Sequence, residues 1–341
     1  MEGSYRAIGL ALGQPPAPLV DCLAIAERAE AAGFGILGVG DFLSDSFTFA
    51  GALAARTRQA ELFTSIAGWT RSPVATAVAA VTAAELSDGR FRLGLGSMPQ
   101  VWSEQWHDVD YTRPVERMRE FVAAVRAAAG SSMGRPASFA GERYTFTDFA
   151  RPSEGPGPPV PIYLGATRPG MTRLAGEAAD GLIVNAVHSV SWLREVQLAA
   201  LNEGLRSRDR ARADVDVGIL VMCAIDDDAA RAAELARRAI SFYFVAPYFR
   251  DLLEHHDFSR ELEQGVSAAA SGDQAAAMRA VSDELVDAVA VHGTPEDVRR
   301  KLERYKGLVD WIMLSPPIGH PSEVVLDQTE RIVDAFSEPT D

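Results

Sequence analysis

Strand-like and helix-like segments alternate along this chain with a period of roughly 28 residues over its first hundred positions, the length of one βα unit in a parallel barrel. That rhythm constrains the fold more than any other feature. The first strand reads Ala7–Leu12, followed by a helix from about Val20 to Ala32 that Gly33 stops. Ile36–Val39 is the second strand, and a helix near Phe49 to Thr57 follows. Leu62–Ala67 is the third strand. Ser72 caps the next helix, Pro73 takes its first position, and Ser87-Asp88-Gly89 ends it. Phe91–Gly96 is the fourth strand, and a helix from about Pro114 to Ala129 follows. The strands are apolar on both faces, as expected for a buried parallel sheet.

The rhythm breaks twice. Residues 130–160 are rich in Gly, Pro and Ser, with aromatics between them, and read as an inserted hairpin and loop. Pro161–Gly165, Gly181–Asn185 and Val217–Met222 are strands five to seven. Residues 228–290 read as helical throughout, with a second insertion at about 245–290. Thr294 caps a helix with acids in its first turn, Val309–Leu314 is strand eight, and the last helix spans about Glu323 to Phe336. The sequence therefore predicts a single-domain α/β (β/α)8 TIM barrel, with insertions after strands four and seven.

Composition excludes several functions. The 341 residues carry a net charge of −14, and the arginines are interleaved with acids, which argues against nucleic-acid or anionic-membrane partners. No apolar run reaches the ~18 residues of a membrane span, and the N-terminus lacks a signal-peptide pattern. Cys22 and Cys223 read as reduced core thiols in a cytoplasmic protein. No metal-ligand spacing appears, and the adjacent His255 and His256 point to different sides of a helix. Gly33-Phe34-Gly35-Ile36-Leu37-Gly38 fits GxGxxG, but it closes a helix and enters a strand, the reverse of a dinucleotide site.

A barrel carries its site on loops at the carboxyl ends of strands. That rule selects Asp41, Ser65 to Trp69, Gly96-Ser97, Gly165-Ala166-Thr167, Asn185, His188 and Ser315-Pro316. Asp41 either caps the following helix or serves the site. Gly96 and Gly165 either permit tight turns or let a flat ligand approach the backbone. Arg71 is a solvated surface residue or a partner for an anionic cofactor group. His107 and His188 are lone histidines, each a surface or core residue or a base.

Leu86–Ser97 resembles the LSgGRfvLGLG signature of luciferase-like monooxygenases, and Pro161–Ala166 with Met171–Gly181 is similar to that family's fifth and sixth strands. Arg113-Pro114, Arg117–Glu120, Leu193–Val196, Phe242-Tyr243 and Val291–Glu296 resemble its actinobacterial F420-dependent branch. The resemblance implies an oxidoreductase that uses F420, or alternatively FMN, on a small organic substrate. It also implies a bulge or non-prolyl cis peptide at Thr64, Ser65 and Ile66, and cofactor-lining backbone at Gly96-Ser97 and Gly165-Ala166-Thr167. Asp41 matches an acidic residue after strand two. It is the catalytic candidate together with His107 and His188, and Trp69, Trp102 and Trp106 are candidates for an apolar substrate wall. A homodimer and a separate flavin or F420 reductase are compatible partners. Such a mechanism needs no serine triad, Walker loop or zinc, because the cofactor carries the chemistry. Three departures stand out: Phe42 where many F420 relatives have His, Met98-Pro99 where many have Gly and Glu, and an aromatic loop, Gln100–Trp106, poor in cations. A non-catalytic flavin- or metabolite-binding member is the remaining alternative.

Overall fold

The computed structural model describes residues 5–41, 44–155 and 157–337; Phe42 lies outside them. Its strands are β1 (Ala7–Leu12), β2 (Ile36–Val39), β3 (Glu61–Thr64), β4 (Ala67–Gly68), β5 (Phe91–Gly96), β6 (Ala137–Ala140), β7 (Thr145–Phe149), β8 (Ile162–Ala166), β9 (Gly181–Val184), β10 (Asp216–Ile225), β11 (Ala290–Gly293) and β12 (Trp311–Ser315). In the main sheet they follow the order β11-β10-β12-β1-β2-β3-β5-β8-β9, β9 pairs back to β10, and β4 pairs β5. With its parallel ladders this is a closed eight-stranded (β/α)8 barrel. The order tracks the sequence because each crossover helix returns the chain to the next position around the ring.

Two compact units emerge from the chain's internal contacts: residues up to 37, 184–199 and 217 onward form one, and 38–183 with 200–216 the other. In the first, β12 lies between β1 and β10. The second half of β10 pairs with β11, Met222 to Ala290 through Ile225 to Gly293. The helices Pro247–His255, Ser259–Ser271, Gln274–Arg279 and Asp283–Val289 form the insertion after strand seven. Phe244, Phe249, Leu252, Leu253, Leu285 and Val286 bury its core.

The second unit holds α2 (Ser46–Arg56), α3 (Pro73–Leu86), α4 (Gln100–His107), α5 (Pro114–Ala129) and α6 (Pro169–Ala178), after α1 (Leu19–Ala31) of the first. The expected starts of two helices hold: Ser72 Oγ accepts from Ala75 N, and Pro114 opens α5. The antiparallel hairpin β6–β7 is the insertion after strand four. Beyond its end, buried Arg151 pairs with Glu85 of α3 at 2.7 Å.

Four sequence expectations need correction. The helix expected from Phe49 begins at Ser46, because the Asp45 side chain accepts from Thr48 N at 2.7 Å and fixes the start. The Gln100–Trp106 loop is helix α4. The reading ended its helical stretch at residue 290 and placed no strand there, whereas Ala290–Gly293 is β11, four residues between two helices. Finally, the expected continuous third strand is broken into β3 and β4.

That break is a one-residue bulge. Phe63 is opposite Arg92, and Ala67 is opposite Leu95. Four steps along the third strand therefore match three along β5, and the extra residue has no ladder partner. Thr64 repairs the ladder at the break. Its Oγ1 donates to Gly94 O at 2.8 Å and accepts from Gly94 N at 2.9 Å, fully buried. We predict that Thr64→Val, which keeps the shape and removes both bonds, lowers unfolding free energy by about 1–3 kcal/mol in urea denaturation; an unchanged midpoint would show that the hydroxyl contributes nothing.

Candidate functional site

The bulge sits at the carboxyl end of the third strand, where a barrel carries its chemistry. The Ser65–Ile66 peptide is cis and non-prolyl, in the segment where the family resemblance placed such a feature. On one side it is tied to the exit of β2: Ser65 N donates to Val39 O at 2.6 Å, and Asp41 N to Ile66 O at 2.9 Å. The Asp41 side chain adds two more bonds. Oδ1 accepts from Ser46 N at 2.8 Å and Oδ2 from Gly68 N at 3.1 Å. Asp41 thus bonds the first residue of α2 and the bulge exit together.

On the other side Ile66 explains two glycines. A Cβ on Gly96 would lie 1.8 Å from Ile66 Cδ1, and one on Gly165 would lie 2.6 Å from Ile66 Cγ2. The sequence left Gly96 and Gly165 to tight turns or to ligand approach; in the structure the Ile66 side chain lies where their Cβ atoms would stand. Gly68 has a similar partner, since its Cβ would fall 2.0 Å from Met98 Sδ. Met98 reaches it from a left-handed backbone, φ 55°, which is uncommon for a residue with a side chain.

Gly40, Asp41, Ser65, Ile66, Ser97, Met98, Gly165 and Thr167 are half-buried, whereas Ala67, Gly68, Gly96 and Ala166 beside them are buried. The accessible positions form a shelf along the ends of β2, β3, β5 and β8. Asp41 is the only ionisable residue among them, and both its oxygens are engaged.

The segment after β5 is anchored beneath. Ser97 Oγ shares a 3.0 Å hydrogen bond with Tyr111 Oη, Ser103 Oγ donates to Ser97 O at 3.1 Å, and Trp69 Nε1 donates to Ser103 Oγ at 3.4 Å. The Arg117 guanidinium lies 5.1 Å from the Trp69 ring centroid, and its Nε donates to Tyr144 Oη at 2.8 Å. Trp69 is 1% exposed, so its place is that of an enclosed aromatic, not of a substrate wall. Trp102 and Trp106 stack at 5.1 Å and 10° on α4, with Trp106 exposed and Trp102 half-buried. His107, the last residue of α4, is exposed. Arg71 pairs with Asp45 and lies 5.1 Å from the Phe47 ring centroid. Sequence reasoning selected Gly68 within Ser65 to Trp69 and noted Met98 only as a departure; it assigned no part in the site to Ser103, Tyr111 or Arg117.

His188 belongs to the other unit. It is buried, its Nδ1 lies 2.7 Å from Asn185 O, and its Nε2 has no hydrogen-bond partner. Burial, with a smaller contribution from Arg304, lowers its pKa to about 4. The ring is therefore neutral near pH 7, with Nδ1 as the donor. His255 and His256 hold separate partners: Glu195 at 3.4 Å, and Ser189 Oγ at 2.5 Å with Ser191 Oγ at 3.2 Å. No group of three His, Cys, Asp or Glu positioned to hold a metal occurs among the described residues, nor does a helix long and apolar enough to cross a membrane.

The fold is a barrel whose strand ends carry this shelf of accessible residues. The chain belongs to the luciferase-like monooxygenase family, whose model matches residues 6–310. A 5,10-methylenetetrahydromethanopterin reductase of Archaeoglobus fulgidus is 30% identical over 86% of this chain and 88% of its own. An uncharacterised protein of Mycobacterium tuberculosis is 33% identical over 76% and 79%. The solved coenzyme F420 dependent tetrahydromethanopterin reductase of Methanopyrus kandleri has a TM-score of 0.82 at 22% identity, covering 98% of this chain and all of that one. An F420-dependent secondary alcohol dehydrogenase, solved with an F420-acetone adduct, has a TM-score of 0.73 at 19% identity, covering 99% and 100%. At these identities the two structures speak for the fold.

Two predictions follow from packing and charge. Gly165→Ala should destabilise the protein in the native background and cost less in an Ile66→Ala background, with a coupling of about 0.5–3 kcal/mol in a double-mutant cycle; additive effects would separate the two residues. For His188 the folded pKa lies below the unfolded value of about 6.5. The unfolded chain then binds the proton first, so stability falls as pH drops from about 6.5 towards 4. His188→Asn, which keeps a donor for Asn185 O, should lose less stability than the native protein between pH 7 and 4, by on the order of 3 kcal/mol; parallel stability curves would contradict this.

Proposed function

We propose that this chain is an F420-dependent oxidoreductase that moves a hydride to or from a small organic substrate. The observation that carries the reading is the half-buried shelf on the ends of β2, β3, β5 and β8. It suits the planar, largely apolar ring of a deazaflavin. Ile66 offers an apolar surface beside Gly96 and Gly165, where any Cβ would collide with it. Ser97 and Thr167 offer hydroxyls at the shelf's edge. Among the relatives and solved structures named above are reductases and a dehydrogenase whose names carry F420 or a pterin reduction, which supports the cofactor.

When bound, F420 supplies a hydride donor or acceptor at C5 of its deazaflavin ring. The protein's part is to fix that ring and the substrate at reacting distance, a contribution of several kcal/mol for well-oriented partners. Thr64, Ser65 and Ile66 would support one face of the ring, and the Gly96-Ser97 and Gly165-Ala166-Thr167 segments would border it. The stacked Trp102 and Trp106 would give the substrate an apolar surface and exclude water. A separate F420 reductase, a homodimer and a cytoplasmic setting complete the reading.

The second reading is an FMN-dependent monooxygenase. The family model and a Streptomyces bottropensis monooxygenase of the same fold, TM-score 0.67, favour it. Titration decides between them. F420 should bind with quenching or a spectral shift in the micromolar range, and FMN more weakly. Micromolar FMN binding without any response to F420, together with oxygen consumption coupled to substrate hydroxylation, would overturn the first reading.

A further inference from the structure

An acidic residue at the mouth of a redox barrel invites assignment as a proton donor. The contacts of Asp41 argue otherwise. Its main-chain N–H holds Ile66 O, and its side chain holds Gly68 N, so it grips the bulge on both sides of Ala67. The other oxygen is anchored on Ser46 N, the first residue of α2. Ser65 N is fixed one step away by Val39 O, and a Cβ on Gly40 would meet Ser65 O at 3.3 Å, so the two chain segments lie close together. Each oxygen thus faces a backbone donor. Gly68 is pinned from a second direction by the Met98 side chain over its Cα.

We propose that Asp41 is a positioning residue: its carboxyl group braces Gly68 against α2 and thereby sets the height of the Ser65–Ile66 peptide on which the cofactor ring rests. The role of the peptide rests on the F420 reading; the brace itself does not. Carboxyl chemistry is required because two amide donors need two acceptors. An amide at this position offers one oxygen and turns an NH2 towards the second N–H.

The test is Asp41→Asn. In the cofactor-free protein, hydrogen exchange at the Gly68 and Ser46 amides should quicken about tenfold, while the β5 amides of Leu93 and Leu95 stay protected. F420 titration should give a Kd raised about tenfold, with the pH profile of kcat/KM keeping the native shape. Native exchange rates at Gly68 in the variant would overturn the brace. So would a variant with native F420 affinity that loses one limb of the pH profile, the signature of a proton donor. If Asp41→Asn does not fold, Ser46→Pro removes one donor at a helix position that suits proline and should weaken F420 binding by a smaller factor; native affinity there contradicts the proposal. If the native protein binds no F420, the cofactor reading falls, and exchange at Gly68 still decides the brace.

Discussion

One surplus residue in the third strand governs this molecule. Between Phe63 and Ala67 the strand takes four steps where β5 takes three. A parallel ladder tolerates such an offset only if the orphaned backbone groups find partners. Thr64 supplies them towards β5 with a reciprocal pair of bonds to Gly94, and Val39 and Asp41 supply them towards β2. The outcome is a peptide unit, Ser65–Ile66, held from both sides at the carboxyl edge of the barrel.

The other features of the shelf follow from that placement. Ile66 emerges where the neighbouring strands would carry side chains of their own, so β5 and β8 have glycine there. Met98 fills the space over Gly68, and Trp69 is sealed beneath α4 by Ser103, Tyr111 and Arg117. The anchoring of α4 is polar and specific on its inner side, whereas its outer residues Val101 and Trp106 remain more than half exposed. An accessible aromatic surface is thereby fixed to a rigid frame, an arrangement that suits a binding wall better than a mobile loop does.

Much of this was legible in the sequence, and the parts that were not share a cause. The βα rhythm, the Pro114–Ala129 helix and the Thr294 cap are local signals, and each appears where the residues place it. β11 escaped because Ala290–Gly293 follows directly on a helix, and four residues are too few to show a period. α4 escaped because its start, Pro99, carries no side-chain cap. The glycines at 96 and 165 were noticed, but their partner was not, because the direction of Ile66 depends on a register shift that only strand pairing reveals. His188 and Trp69 were selected by chain position and residue type, and burial decided their surroundings. The cis peptide came from family resemblance; nothing in the residues Thr64-Ser65-Ile66 demands it.

The central claim is that the Ser65–Ile66 peptide and the neighbouring strand ends form the seat of a planar redox cofactor. A crystal structure of the protein grown with F420 tests it most directly. The account predicts ring density lying against Ile66, bordered by Ser97 and by Gly165 to Thr167, with the Asp41 bonds to Ser46 and Gly68 intact. A ring bound anywhere else on the chain, or bound there only after the bulge has rearranged, would contradict it.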